Sequence, residues 1–158
     1  MSASHAYALA VGIGIAAGLR SMTAPAVVSW GAHLGRLKLR GYALGVLGGA
    51  WAVGILTVLA IAEYVVDLLP QTPSRTAIEP LAARALSGGV CGACLCVSGG
   101  QPVVAGAVLG AIGGVIGAFG GYQGRKRLVS GLKVADAMIA IPEDAVAACL
   151  AWAMVLLG

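Results

Sequence analysis

The chain has 158 residues, of which 59% are hydrophobic and only 10% are charged, and its mean hydropathy is +0.95. A soluble domain carries a larger charged fraction, so this composition excludes an ordinary soluble protein and predicts one that lies in lipid. The net charge of +4 comes from clusters beside apolar segments, which indicates contact with lipid headgroups and excludes nucleic-acid binding.

The apolar segments predict a single all-α integral membrane domain over residues 1–158, with about five transmembrane helices. Each span needs about 20 apolar residues, and no separate soluble domain fits in the remaining length. The 25 glycines predict tight helix packing, because small residues let helix backbones approach closely in lipid. The expected spans are 7–30, 42–69, 77–98, 102–122 and 138–157.

The first span contains residues that do not suit a continuous helix in lipid. Arg20 carries a charge, and Pro25 cannot donate a backbone hydrogen bond. Thr23 is a good N-cap, and proline is tolerated in a first helical turn. The stretch therefore predicts a broken helix, with one half ending near Arg20 and another beginning at Thr23.

The second span is long, which predicts a tilted or protruding helix. It closes with Glu63 and Asp67 before Pro70. The polar connector that follows contains Thr76 and Glu79, whose spacing fits a capping box at the start of the third span.

The last two spans both follow prolines. Pro102 begins the fourth span, in which evenly spaced glycines predict one smooth helix face. These glycines are Gly106, Gly110, Gly114 and Gly117. Pro142, Glu143 and Asp144 are expected to open the last span, where acidic side chains favour the helix dipole.

Two basic segments conflict with a simple five-span topology. The first contains Arg36, Lys38 and Arg40, and the second contains Arg125, Lys126, Arg127 and Lys133. Three predicted spans separate them, so they cannot both follow the positive-inside rule. Either the protein inserts in both orientations and forms an antiparallel homodimer, or one apolar segment re-enters without crossing.

Several sequence strings together resemble a bacterial membrane protein family, the domain of unknown function 4126. They are "GLRSMTAPAVVSW", "LPQTPSRT", "PLAARALSG", "GAFGGY" and "EDAVA", and the resemblance covers most of the chain. It implies a small multi-pass membrane protein, which we expect in the bacterial inner membrane. It supplies no activity and no catalytic or binding residues.

Arg20 is the strongest functional candidate, because a charge within a span usually faces a bundle interior or an aqueous cavity. A half-helix beginning after it would direct free N–H groups toward the break, which suits a carboxylate or phosphate. Alternatively, Arg20 pairs with Glu63 or Asp67 and only holds the bundle together. These two carboxylates share a helix face, where they could bind a cation, relay protons or reach interfacial water.

The candidate solute or ion pathway combines these charges with nearby polar groups. Arg84 is expected to extend toward the lipid headgroups instead. The pathway residues are Arg20, Ser21, Thr23, Glu63, Asp67, Arg75, Glu143 and Asp144.

No enzyme motif is present, since the sequence lacks a nucleophile elbow, a phosphate-binding loop and a zinc-protease signature. Cys91 and Cys94 could share a soft metal, but their small apolar neighbours favour a packing role. We therefore expect no metal, no cofactor and no catalytic residue.

The leading functional hypothesis is a small membrane transporter or channel for a small polar solute, anionic or zwitterionic, that acts as a homodimer. The alternative is a non-transporting membrane scaffold or assembly factor, in which charge pairs and glycine faces serve helix association. A lipid-modifying enzyme is a third class, but the site it requires is missing.

Overall fold

The computed structural model describes residues 1–39, 41–67, 78–132 and 136–158, with side chains described except at 67, 128–132, 136–141 and 143. These residues form six α-helices and one short 3₁₀ helix, and contain no strand. The predicted all-helical class is confirmed. The helices are α1 (Ala3–Leu19), α2 (Thr23–His33), the 3₁₀ helix (Ala43–Gly48), α3 (Ala50–Asp67), α4 (Ile78–Ser98), α5 (Val103–Leu132) and α6 (Asp136–Leu157).

In the described part of the chain, two helices are long and apolar enough to cross a membrane. They are α4 and the Val103–Arg127 part of α5, judged by length and composition. Three apolar stretches are shorter, namely Ala3–Leu19, Ala50–Val66 and Asp144–Leu157. The predicted count of five spans is not confirmed by this criterion.

Helices α1 and α2 form a hairpin that enters and leaves the bundle at the same end. At the start of α1, the His5 Nε2 lies 3.2 Å from the Leu157 carbonyl oxygen. Near the end of α2, a Cβ on Gly31 would overlap the Val155 side chain. Because both contacts lie at the C-terminal end of α6, the chain reverses at the break between α1 and α2. We call the end of the bundle that contains the C-terminal end of α6 the proximal end, and the opposite end the distal end.

Helix α3 runs alongside α2 in the opposite direction, from the proximal toward the distal end. The Trp30 Nε1 donates to Thr57 Oγ1 at 3.1 Å, and the Thr23 hydroxyl lies 2.9 Å from the Tyr64 hydroxyl. Trp30, late in α2, thus contacts Thr57, early in α3, whereas Thr23, at the start of α2, contacts Tyr64, near the end of α3. This order defines an antiparallel pair.

The remaining helices alternate in direction, and the two basic segments lie at opposite ends. The backbone N–H of Lys38 donates to Ser98 Oγ at 3.1 Å, which places the first basic segment at the proximal end. Three helices, α3 to α5, separate it from the second basic segment. The α1–α2 hairpin reverses direction within the bundle, but it does not bring the two basic segments to the same end, as a re-entrant segment was expected to do.

The centre of the bundle is the contact of α5 with α1 and α4, and glycines line it. A Cβ on Gly14 would overlap the Gly110 carbonyl oxygen, and a Cβ on Gly110 would overlap that of Gly88. A Cβ on Gly114 would lie 2.6 Å from the Arg84 carbonyl oxygen. Alanine at these positions would force the three helices apart, because main chain contacts main chain there.

Several predicted boundaries are wrong. A 3₁₀ helix replaces the start of the second span, and α3 begins only at Ala50, so its length no longer implies tilt. Helix α5 continues to Leu132, beyond the predicted end at 122. Helix α6 begins at Asp136 and contains Pro142 internally, which places Asp144 about two turns into the helix. The first-turn dipole interpretation of Glu143 and Asp144 is therefore incorrect.

Candidate functional site

The break between α1 and α2 lies inside the bundle at Arg20, as the sequence predicted. Arg20 adopts an extended conformation, with φ −141° and ψ 114°, while its N–H still donates to the Ala16 carbonyl. Helix α2 begins at Thr23, after a Met22 N-cap whose side chain makes no capping bond. The predicted Thr23 N-cap is therefore off by one residue, whereas Pro25 does lie in the first turn.

Glu63, from α3, caps the N-terminus of α2 with its carboxylate. One oxygen accepts from the Ser21 N–H at 2.8 Å and from the Ser21 hydroxyl at 2.7 Å. The other oxygen accepts from the Met22 N–H at 2.9 Å. A side chain distant in sequence thus satisfies donors that the first turn of a helix leaves without a helical partner. The negative charge also faces the positive end of the α2 dipole.

The Arg20 guanidinium is fully buried and pairs with Asp144 of α6. Its Nε donates to Asp144 Oδ1 at 2.6 Å, and a terminal nitrogen pairs with the same oxygen. Of the two partners predicted for Arg20, Glu63 caps α2 instead, and the side chain of Asp67 lies outside the described residues. Asp144 was not predicted as the partner. This pairing agrees with the rule that a buried charge needs an opposite charge and hydrogen bonds.

Tyr64 connects the hairpin to α3 from the position next to Glu63. Its ring centroid lies 5.0 Å from the guanidinium carbon of Arg20, within cation–π distance. Its hydroxyl is hydrogen bonded to Thr23. Tyr64 was not predicted as part of the site. Its position next to Glu63 within an apolar segment was the available signal, because a tyrosine hydroxyl that becomes buried needs a polar partner.

Five of the eight predicted pathway residues meet at the break. They are Arg20, Ser21, Thr23, Glu63 and Asp144. The prediction for Arg75 lies outside the described residues, as do those for the side chains of Asp67 and Glu143. The capping-box prediction at Thr76 also lies outside them.

Arg84 is buried, contrary to the expectation that it extends toward lipid headgroups. The residue is only 5% exposed. Its carbonyl lies against Gly114, whose own carbonyl faces Gly18, two residues before Arg20. A second arginine is therefore enclosed at the depth of the break.

The site brings positive and negative charges together, and one side of it is partly exposed. The Arg20 guanidinium and the N-terminus of α2, which carries about +0.5 charge, face two carboxylates. The Asp144 side chain is 24% exposed, whereas Arg20 is fully enclosed, so access to the pair is from the Asp144 side. The arrangement can hold a carboxylate in a fixed orientation, because Glu63 is already held in this way.

The described side chains were also compared with the groupings that hold metal ions. Within the described residues, no group of three His, Cys, Asp or Glu side chains is placed to hold a metal ion. Cys91, Cys94 and Cys96 are free and buried in α4, and Cys149 is free and exposed on α6.

Comparisons with protein-family models, with curated proteins and with solved structures find no match for this chain. The resemblance to the domain of unknown function 4126 family stays a prediction. The function is therefore inferred from the geometry of the helix break.

Proposed function

We propose that the chain is a small membrane transporter or channel for a small anionic or zwitterionic solute, and that the solute binds at the helix break. The observation that carries this proposal is the Glu63 carboxylate on the N–H groups of Ser21 and Met22, next to the buried Arg20. The break thus already binds a carboxylate, which the protein itself supplies.

A multi-pass location in the bacterial inner membrane is part of the proposal. In this arrangement α3 to α6 cross the bilayer, and the hairpin of α1 and α2 enters from the proximal end. Helix α1 has 17 residues and is about 25 Å long, so the break lies deep in a hydrocarbon layer about 30 Å thick. Broken helices whose termini face the bundle interior are typical of solute sites in transporters, where they lie near the midplane; this break lies closer to the distal side.

Solute binding is proposed to occur by exchange with Glu63. A solute carboxylate can accept the same two backbone hydrogen bonds that Glu63 accepts, so no buried donor is left without an acceptor during the exchange. Arg20 stays neutralised by Asp144 throughout, which avoids an unpaired buried charge. The exposed side of Asp144 gives the solute a polar approach to the break.

The second candidate is a non-transporting membrane scaffold or assembly factor. The internal pairing of Arg20 with Asp144 favours it, since such a pair also serves to join helices. Apolar side chains exposed along α3, including Ile55, Val58 and Val65, would then contact a partner or a second copy. An antiparallel homodimer is the corresponding proposal for the two basic segments at opposite ends.

Reconstituted vesicles distinguish the two candidates. The full chain is inserted into vesicles, and uptake of radiolabelled acetate, glycine and inorganic phosphate is measured. The test variant is Arg20→Gln with Asp144→Asn, which replaces the ion pair by two amides that can still hydrogen bond. The control is Lys126→Gln, which removes an exposed cation of the second basic segment.

We expect uptake of at least one probe by the unchanged chain and by the control, and its loss in the double variant. Circular dichroism and gel filtration establish that the double variant is folded. Uptake that persists in the folded double variant would refute the site, and absence of uptake for all three probes would favour the scaffold.

A further inference from the structure

A cleft at the proximal end of the bundle is separate from the helix break. It lies between the segment after α2 and the 3₁₀ helix, and its volume is about 730 Å³. This volume falls in the range of about 300–1,000 Å³ that is typical of ligand pockets. Its walls include His33, Gly35, Lys38, Gly45 and Gly48, so small residues leave space beside two side chains that can carry positive charge.

Lys38, which lines the cleft, and Arg36, two positions before it in sequence, do not cap α2. The Gly35 N–H donates to the Ala32 carbonyl at 3.2 Å, and the Arg36 N–H donates to the Gly31 carbonyl at 2.9 Å. The last carbonyl groups of α2 therefore have backbone donors. The side chains of Arg36 and Lys38 are exposed, and neither has a hydrogen bond or ion pair with the residues that the structure describes.

Acidic side chains are absent from the segments that form the proximal end. Glu63 is the first acidic residue of the sequence, and none follows Asp144. No described carboxylate side chain therefore neutralises the side chains of Lys38 or Arg36. Such cations attract an anion, and the attraction is strongest near a low-dielectric wall.

Exposed aromatic side chains lie close to the cleft in sequence, with Tyr42 between the lining residues Leu39 and Gly45, and Trp51 two positions after Gly49. Tyr42 is 53% exposed and Trp51 is 62% exposed, and such residues concentrate where a protein meets the lipid headgroups. Helix α3 begins directly after the cleft wall at Gly49. Its exposed Ile55 and Val58 continue an apolar surface toward the distal end.

We propose that this cleft binds the phosphodiester headgroup of an anionic phospholipid, with an acyl chain along the exposed face of α3. Lys38 and Arg36 contact the phosphate, and Trp51 lies at the level of the glycerol ester groups. The proposal rests on the bilayer location proposed above and does not depend on solute transport. Charge and apolar surface are both required, which selects a lipid over a soluble anion.

The test measures lipid retention by the purified full chain in detergent, using native mass spectrometry. The probes are dioleoylphosphatidylglycerol and dioleoylphosphatidylcholine, which share acyl chains but differ in net charge. Lys38→Gln is compared with Lys126→Gln, an equally exposed lysine of the second basic segment. The double variant, Arg36→Gln with Lys38→Gln, measures the combined effect of the two cations.

We expect the unchanged chain to retain phosphatidylglycerol in preference to phosphatidylcholine. Lys38→Gln should weaken that retention about fivefold and the double variant about 25-fold, which corresponds to about 1 kcal/mol for each cation near an anionic lipid. Lys126→Gln should leave it unchanged.

Three results would overturn the proposal: equal retention of the two lipids, an equal loss in Lys126→Gln, or displacement of the lipid by inorganic phosphate. We expect these variants to fold alike, since exposed substitutions change stability by only about 0.5 kcal/mol. Circular dichroism checks this for each variant.

Discussion

Replacing Glu63 by alanine removes the cap of α2 and tests the central contact of the site. The change leaves the N–H groups of Ser21 and Met22 without their described acceptor. Each lost hydrogen bond to a charged group costs about 1.5–3 kcal/mol, but both residues are partly exposed, so water offsets part of this cost. We expect a total destabilisation of about 2–3 kcal/mol, slightly above the usual cost of losing an N-cap.

The assay is unfolding of the purified chain from a mild detergent by added sodium dodecyl sulfate, followed by tryptophan fluorescence. Glu79→Ala is the matched control, because Glu79 is an exposed glutamate in the first turn of α4. Its loss should cost about 0.5 kcal/mol through the helix dipole.

Acetate should restore stability to the Glu63→Ala variant by occupying the vacated position. At an acetate concentration ten times its Kd, the gain is about 1.4 kcal/mol, with no comparable gain for the unchanged chain or for Glu79→Ala. A cost below about 0.5 kcal/mol for Glu63→Ala, or equal stabilisation of all three proteins by acetate, would refute the reasoning.

Two further predictions concern packing and topology. Gly110→Ala should destabilise the bundle by about 1–3 kcal/mol, because the new methyl group overlaps the main chain of α4. Gly54→Ala should not, since nothing lies within 4 Å of its Cβ position. Unfolding in detergent compares the two variants, and equal effects would contradict the close approach of α4 and α5. Single cysteines introduced at Ser2 and Arg36 into a cysteine-free chain should react with a membrane-impermeant maleimide from the same side of a vesicle, and one at Lys126 from the other. Labelling of Ser2 and Arg36 from opposite sides would show that α1 and α2 cross as one span.

The location of the helix break could be predicted because its causes are local. An arginine within an apolar segment, followed by Thr23 and Pro25, disfavours a continuous helix whatever the rest of the chain does. The reversal of direction could not be predicted, because a kinked span and a hairpin have the same local pattern. Contacts of His5 and Gly31 with α6 decide between them.

The partners within the site could not be assigned from the sequence, although most of its members could. Glu63 and Asp144 were both selected as charges near apolar segments, but which one neutralises Arg20 depends on how α3 and α6 pack around the hairpin. The separation of Arg20 from Asp144 is 124 positions, and no spacing rule operates over such a distance. Arg84 was misplaced for a related reason, since its burial arises from neighbouring helices.

The glycine contacts in the centre of the bundle also constrain how the helices can move. Side chains that interdigitate resist both separation and sliding, whereas Gly14, Gly88 and Gly110 place smooth main chain against main chain. Pulling α1 away from α5 would lose many close contacts, since dispersion falls steeply with distance. Sliding of one helix along another meets no interdigitated side chains at these positions. At these glycines, sliding of one helix along another therefore meets less steric resistance than separation of the helices does.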